Sequence, residues 1–146
     1  MTQENHPVRF FAEEVDMPSV NLSRAARWLE KVAREEKEAL GEISVIFCSD
    51  EYLYRLNVEH LQHHTYTDII TFPYSDSDGI SGDLFISTER VEENAREFNS
   101  TFEEELHRVL VHGLLHLLGY TDKTDEEKTE MRRLEDHYLK EVFNRA

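Results

Sequence analysis

The sequence predicts an α+β fold, with about five helices packed on a small mixed sheet of four strands. Three observations favour this class. Short apolar segments typical of strands occur before residue 88, long helical patterns follow them, and no internal repeat or linker divides the chain. The hydrophobic fraction of 39%, with eight Phe, six Tyr and one Trp, is enough to fill one core. Residues 1–146 are therefore expected to form a single domain.

The chain opens with a predicted strand and a long amphipathic helix. Val8–Glu13 has the short apolar and aromatic character of a strand. Asn21 or Ser23 can cap the helix that follows, and Gly41 is expected to end it. The apolar stripe of this helix consists of Leu22, Ala26, Leu29, Val32, Ala33 and Leu40.

A buried strand and a short helix are predicted next. Ile43–Cys48 is a continuous apolar run. Because Cys48 is the single cysteine, it cannot form an internal disulfide and is expected to be a small core residue. Ser49 can cap the short helix, and residues 57–66 are polar and expected to be irregular.

Two further strands are expected to form a hairpin. Thr67–Phe72 and Asp83–Ser87 are rich in β-branched and apolar residues. Pro73 is expected to end the first of these strands, and the acidic turn SDSDG lies between the two. These strands complete the predicted four-stranded sheet.

The last third of the chain is predicted to be helical. Two of its helices begin with capping boxes, Ser100 with Glu103 and Thr124 with Glu127. The acidic runs EEKE, FEEELH and DEEKTE are expected to be ordinary helix surface. The three predicted helices are Thr88–Phe98, Phe102–Leu118 and Thr124–Phe143.

The densest chemical signal is the segment VLVHGLLHLLGYTD, residues Val109–Asp122. Residues four apart share a helix face, so His112 and His116 can direct two imidazoles at one point. Their neighbours are almost all apolar, and two buried histidines are costly unless they are bonded. Gly119 can end the helix in a left-handed turn, which makes Asp122 a plausible third ligand.

Three protein ligands with an open fourth position are typical of a catalytic zinc site. We therefore predict one Zn²⁺ per chain, bound by His112, His116 and Asp122, which are also the predicted catalytic residues. The alternative is that both histidines are satisfied core residues without a metal. Peptidases with the motif HExxH have a general-base Glu where this chain has Gly113, which argues against a protease and leaves a metal-dependent hydrolase.

Three ordered blocks of the chain carry a further signal. They are LNVEHLQHHTYTDIITFP at residues 56–73, SGDLFIS at residues 81–87 and HGLLHLLGYTD at residues 112–122. The last block resembles the zinc-binding signature HGxLHLxGYDH of the YbeY family, the bacterial endoribonucleases and ribosomal RNA maturation factors. The first two blocks resemble that family's segment from Leu-Asn to Thr-Asp-Val-Leu-Ser-Phe-Pro and its strand Gly-Asp-Ile-x-Ile-Ser.

The resemblance implies a metal-dependent endoribonuclease specific for single strands. It also implies a role in 3′-end maturation of 16S rRNA and in ribosome biogenesis and quality control. The expected partners are rRNA and the 30S subunit or its ribosomal proteins.

The chain departs from the family pattern at two places. The family's third ligand is a histidine, and the matching Asp122 carries a negative charge that would make the metal a weaker Lewis acid or favour another metal. The family has Tyr-Arg where this chain has His60 and Leu61. If that arginine contacts an RNA phosphate, His63 or His64 are candidates to replace it; otherwise they are exposed loop histidines.

The net charge opposes RNA binding. The chain has 16 Lys and Arg against 31 Asp and Glu, a formal charge of −15, whereas phosphate binding depends on cations. Lys123 is the best-placed RNA-binding candidate because it directly follows Asp122. The alternative is that the cations of this chain lie on solvated helix faces and that a ribosomal partner supplies the basic surface. The cations that could gather around the metal are Arg55, Arg90, Arg96, Lys123, Arg132 and Arg133.

Two other functions stay open at this point. A ribosome-assembly binding factor would use the metal only as a structural staple. A metal hydrolase of another small substrate would fit the acidic charge better. An exchangeable water on the metal would distinguish an enzyme from a staple, because a structural zinc is closed by four protein ligands.

The cellular location is predicted from what the chain lacks. No run approaches the 18 or so apolar residues that a membrane span needs, and the N-terminus does not resemble a signal peptide. We therefore expect a soluble, cytoplasmic protein with no membrane partner. An acidic chain of this size is expected to be a monomer.

Overall fold

The computed structural model describes residues 7–74 and 79–143 and confirms the predicted α+β class. Within these ranges the strands form one sheet in the order β1-β2-β4-β3. β1, β2 and β4 are parallel, and β3 is antiparallel to β4, so the sheet is mixed. The elements in chain order are β1 (Val8–Glu13), α1 (Leu22–Glu35), β2 (Leu40–Cys48), α2 (Asp50–Leu61), β3 (Ile69–Tyr74), β4 (Ile80–Ser87), α3 (Thr88–Glu97), α4 (Phe102–Leu117) and α5 (Asp125–Phe143).

The two faces of the sheet are covered by different helices. One face, which carries Phe47 and Leu84, packs with α1, α4 and α5 in the main core. On the other face, Cys48 packs with Leu53 of α2 in a smaller cluster. Burial is the main cause that raises the pKa of the Cys48 thiol to about 12, and the prediction of a small core cysteine is confirmed.

Helix α4 lies close to the sheet because residue 113 has no side chain. A Cβ atom at Gly113 would lie 2.7 Å from Ile69 Cδ1 and 3.1 Å from Leu84 Cδ2. A side chain at this position would require the ends of the Ile69 and Leu84 side chains to shift in a close-packed core. The sheet therefore fills the space that a glutamate at this position would need.

The boundary between α1 and β2 differs from the prediction. The helix ends at Glu35 instead of Gly41, and Leu40 is already the first residue of β2. After the helix, Lys37 adopts a left-handed φ of 64° and donates its N–H to the Arg34 carbonyl. This type of helix end ordinarily uses glycine, so a lysine there carries no sequence signal.

Two segments extend further than predicted. Residues 57–61 are the last part of α2 and are not irregular. Strand β3 continues through Pro73 to Tyr74, because β3 lies at the edge of the sheet, where a missing N–H donor is tolerated. The β3-β4 hairpin is confirmed, whereas residues 75–78 of its acidic turn lie outside the described residues.

The helix caps agree with the predictions at three of four N-terminal ends, and one of these is the Ser49 cap of α2. Asn21 caps α1, and Thr124 and Glu127 form the predicted capping box at α5, with bonds of 3.1 and 3.2 Å. At α4 the cap is Thr101 and not Ser100. None of the helices in the described ranges is both long and apolar enough to cross a membrane.

His107 of α4 is a histidine buried in the core. Its ring faces those of Trp28 and Phe143, and its Nδ1 lies 2.7 Å from the Glu103 carbonyl, to which it donates. Its Nε2 has no hydrogen-bond partner among the described residues. Burial lowers the pKa of this imidazole below its ordinary value of 6.5.

We expect His107 to make the stability of the fold depend on pH. Between the lowered pKa and 6.5 the unfolded chain binds a proton that the folded chain does not. The stabilising contribution is therefore complete above pH 6.5 and is lost as the pH falls below that value. Urea unfolding midpoints should fall more steeply between about pH 7 and 5 in the wild type than in His107→Phe. Parallel curves for the two proteins would contradict this role.

Candidate metal centre

Two histidines of α4 and one aspartate after it form a cluster with metal-binding geometry. The Nε2 atoms of His112 and His116 are 3.1 Å apart, and Asp122 Oδ2 lies 3.5 and 3.4 Å from them, respectively. Zinc bonds of about 2.0–2.2 Å at tetrahedral angles put ligand atoms roughly 3.3–3.6 Å apart. Two of the three separations lie in this range and the third, between the two Nε2 atoms, is slightly shorter. The structure therefore brings the three predicted ligands together at close to the spacing of a zinc site.

Asp122 reaches the histidines because the chain reverses direction after α4. Gly119 has a φ of +109°, which residues with side chains rarely adopt. The next residue, Tyr120, donates its N–H to the Leu115 carbonyl at 3.0 Å and its hydroxyl to Glu36 at 2.6 Å. The turn that positions the third ligand is thus tied to both α4 and the end of α1.

The Nδ1 atoms of the two histidines have partners of their own. His112 Nδ1 donates to Glu135 Oε2 at 2.7 Å, and His116 Nδ1 donates to the Tyr120 carbonyl at 3.0 Å. In the neutral ring the opposite nitrogen, Nε2, then carries a lone pair that faces the cluster. Two facing lone pairs at 3.1 Å repel each other unless a cation lies between them. The tautomers therefore favour binding of a metal ion or a proton at this point.

Glu135 is buried on α5 and is oriented by Arg108 of α4. Arg108 donates to Glu135 Oε1 at 2.8 Å and to Asp136 Oδ1 at 2.7 Å. Burial disfavours the charged form of His112, but the hydrogen bond and the charge of Glu135 outweigh it and raise the pKa of His112. Sequence analysis missed Glu135, because nothing in its spacing indicates that α5 packs beside α4.

The cluster lies between two cavities. The larger, about 580 Å³, is bounded by α4, α5 and the end of α3, and the smaller, about 450 Å³, lies beside α2 and β3. Asp68, His112 and Asp122 line both. Sequence analysis also missed Asp68, whose pKa is raised by burial. A metal at the cluster would therefore be accessible from two sides.

The predicted RNA-binding residues lie at different distances from the site. His63 lines the smaller cavity together with the three ligands, and so does Leu61. His64 and Lys123 are exposed and line neither cavity. Arg55 forms a salt bridge of 2.8 Å with Glu14, which follows β1. Their contribution to RNA binding stays a prediction.

The other predicted cations divide into two groups. Arg90, Arg96 and Arg133 form salt bridges with neighbouring carboxylates. Arg132 lines the larger cavity, as does Lys128 one turn before it on α5. Of the six predicted cations, Arg132 is therefore the one that lines the larger cavity, and α5 adds Lys128 beside it.

Comparisons with known proteins show which family the chain resembles. The family model described as Endoribonuclease YbeY matches residues 10–143. Two similar proteins named Endoribonuclease YbeY come from Christiangramia forsetii, 47% identical over 93% of this chain and 94% of the relative, and from Flavobacterium johnsoniae, 51% identical over 88% and 93%. The solution structure of TM1509 from Thermotoga maritima is 34% identical, with a TM-score of 0.67 over 94% of this chain and 89% of that one.

Replacing Glu135 by Gln is expected to weaken zinc binding by about 10- to 100-fold. The substitution keeps the size of the side chain but removes the charge that orients His112. Asp136→Asn is the matched control, because Asp136 bonds the same Arg108. Titrations against a zinc chelator should show a higher Kd for Glu135→Gln alone, and equal affinities in all three proteins would contradict the role of Glu135.

Proposed function

The chain belongs to the YbeY endoribonuclease family, and from this membership we propose that it is a zinc-dependent enzyme that cleaves single-stranded RNA. We further propose that its substrate is the 3′ region of the 16S rRNA precursor. It would act there as a cytoplasmic monomer in ribosome biogenesis, with the 30S subunit or its proteins as partners. The observation that carries this proposal is the set of three ligand atoms 3.1–3.5 Å apart beside two open cavities.

The residues of the cluster have distinct tasks in this proposal. His112, His116 and Asp122 would hold the zinc ion. When bound, the ion would act as a Lewis acid that offsets negative charge on a phosphoryl group. Glu135 and the Tyr120 carbonyl keep both imidazoles in the tautomer that directs Nε2 at the metal. The charge of Asp122 lowers the net charge of the site relative to three histidines.

An open side of the cluster favours an enzyme over a structural staple. A structural zinc is ordinarily closed by four protein ligands. In the described part of the chain, this cluster offers three. Since His112 and Asp122 line both cavities, water or an RNA phosphate can approach the remaining position.

Asp68 is our candidate for the group that accepts the proton of the attacking water. Gly113 occupies the position of the peptidase base, and the sheet fills the space there. Asp68 and Asp122 are the two carboxylates that line both cavities within residues 7–74 and 79–143. An RNA strand that runs from one cavity to the other would pass the Asp68 carboxylate. Asp68 does not belong to the cluster of three metal ligands, so its carboxylate can accept a proton.

Asp122→Ala is expected to lose zinc and RNA cleavage together. Elemental analysis of untagged, dialysed wild type should give about one zinc per chain, and the variant much less. Cleavage of a single-stranded RNA from the 16S 3′ region should fall by more than about 100-fold. Zinc that stays in the variant would place the third ligand elsewhere. A wild type that binds zinc but cleaves no RNA would favour the assembly factor.

Asp68→Asn is expected to keep its zinc and to lower kcat by about 100-fold or more, because an amide cannot accept the proton. Asp136→Asn, an exposed carboxylate change outside both cavities, should leave kcat unchanged. Single-turnover cleavage rates and zinc content measured on the same samples test this role. An unchanged rate, or a loss of zinc equal to the loss of rate, would exclude Asp68 as the proton acceptor.

A further inference from the structure

The larger cavity contains a buried carboxylate without a hydrogen-bond partner. Glu105 lies on α4, seven residues before His112 and thus on the same face. Contrary to the expectation for the run FEEELH, it is only 6% exposed. Its carboxylate makes no hydrogen bond or salt bridge within the described ranges, yet it lines the cavity that opens on His112. The oxygens of this carboxylate are not enclosed by protein atoms, so they can accept hydrogen bonds from a ligand that enters the cavity.

The surroundings of Glu105 favour a ligand that donates hydrogen bonds. Burial raises the pKa of its carboxyl, Arg108 and Arg132 oppose this effect, and Asp68 and Glu135 add to it. With two further carboxylates nearby, an anionic group such as a phosphate would be repelled at this position. Neutral N–H donors would satisfy the carboxylate without adding negative charge.

The outer part of the cavity has groups suited to a nucleotide. Phe98, at the end of α3, is 63% exposed and offers an aromatic ring for base stacking. Lys128 and Arg132 are four residues apart and share a face of α5. Neither has a salt bridge in the described part of the chain, whereas each arginine of α2, α3 and α4 has one. These two cations are therefore available to a phosphate.

We infer that the larger cavity is a guanosine subsite beside the metal centre, in which Glu105 accepts hydrogen bonds from N1–H and the 2-amino group of guanine. Of the four RNA bases, guanine alone has two adjacent N–H donors on its Watson–Crick edge, which match the two oxygens of a carboxylate. Phe98 stacks on the base, and Lys128 and Arg132 bind the neighbouring phosphate. The inference rests on the proposed function, because RNA must be the substrate at His112.

The volume and position of the cavity agree with this ligand. About 580 Å³ lies within the range of pockets that enclose small organic ligands. Because the cavity reaches His112 and Asp122, a guanosine bound there puts the adjoining phosphodiester at the metal ligands. Cleavage should therefore occur directly next to a guanosine.

The first test compares cleavage of uridine oligomers that contain a single G, A or C. The zinc-loaded wild type should cleave beside guanosine with a kcat/KM about 10-fold above that beside the other bases. Glu105→Gln should lose this preference and favour A or C, because an amide pairs one donor and one acceptor with their edges. Inosine, which lacks the 2-amino group, should be cleaved less well than guanosine by the wild type and equally well by the variant.

One further variant is a control, and a second tests the stacking role of Phe98. Glu126→Gln makes the same chemical change at an exposed position of α5 outside the cavity and should keep the guanosine preference. Phe98→Ala should lower kcat/KM by about 10-fold for every oligomer, because stacking does not depend on base identity. The zinc content of each variant separates loss of metal from loss of base recognition.

The outcomes distinguish this subsite from the proposed function itself. Equal cleavage beside every base, a wild-type preference for A or C, or a guanosine preference that survives in Glu105→Gln would overturn the subsite but not the nuclease. If no oligomer is cleaved, the proposed nuclease fails, and nucleotide titrations still test the cavity. Guanosine monophosphate should bind the wild type about 10-fold more tightly than adenosine monophosphate, and Glu105→Gln should abolish the difference. Equal binding of both nucleotides would overturn the subsite.

Discussion

The close contact of α4 with the sheet is the constraint on which the site depends. Because residue 113 has no side chain, the helix packs directly on Ile69 and Leu84, and a rotation or outward movement of the helix would lose these core contacts. This fixes the neighbouring sector of α4, on which Glu105, His112 and His116 lie at spacings of seven and four residues. His107 is buried in the core on another side of α4, whereas Glu105 and His112 line the larger cavity from this sector.

The orientation of the imidazoles depends on contacts that join three helices. His112 is fixed through Glu135 of α5, which is itself held by Arg108. His116 is fixed by the Tyr120 carbonyl, in a turn whose tyrosine hydroxyl reaches the end of α1. Contacts within the protein therefore direct each Nε2 at the cluster, and such contacts lower the reorganisation that metal binding requires.

The sequence predicts the contacts between residues that are close along the chain, and it does not predict the contacts between distant elements. His112, His116 and Asp122 belong to one helix and its turn, where spacing alone decides which side chains meet. Glu135 and Asp68 come from other elements, and their approach to α4 is decided by tertiary packing. The helix end at Lys37 and the edge position of Pro73 likewise depend on contacts distant in sequence. Glu105 belongs to the acidic run FEEELH, and the sequence of that run does not indicate which of its glutamates is buried.

The strong negative charge decides what kind of RNA contact this chain can offer. Lys and Arg side chains that neutralise backbone phosphates give general affinity for RNA. This chain has a formal charge of −15, and few Lys or Arg side chains line the cavity beside its metal ligands. Stacking and hydrogen bonds to base edges require no positive charge, and they discriminate between bases whereas phosphate contacts do not. A carboxylate accepts from base donors and repels phosphates. The acidity that weakens general binding of RNA therefore favours the selection of a nucleotide whose edge donates hydrogen bonds.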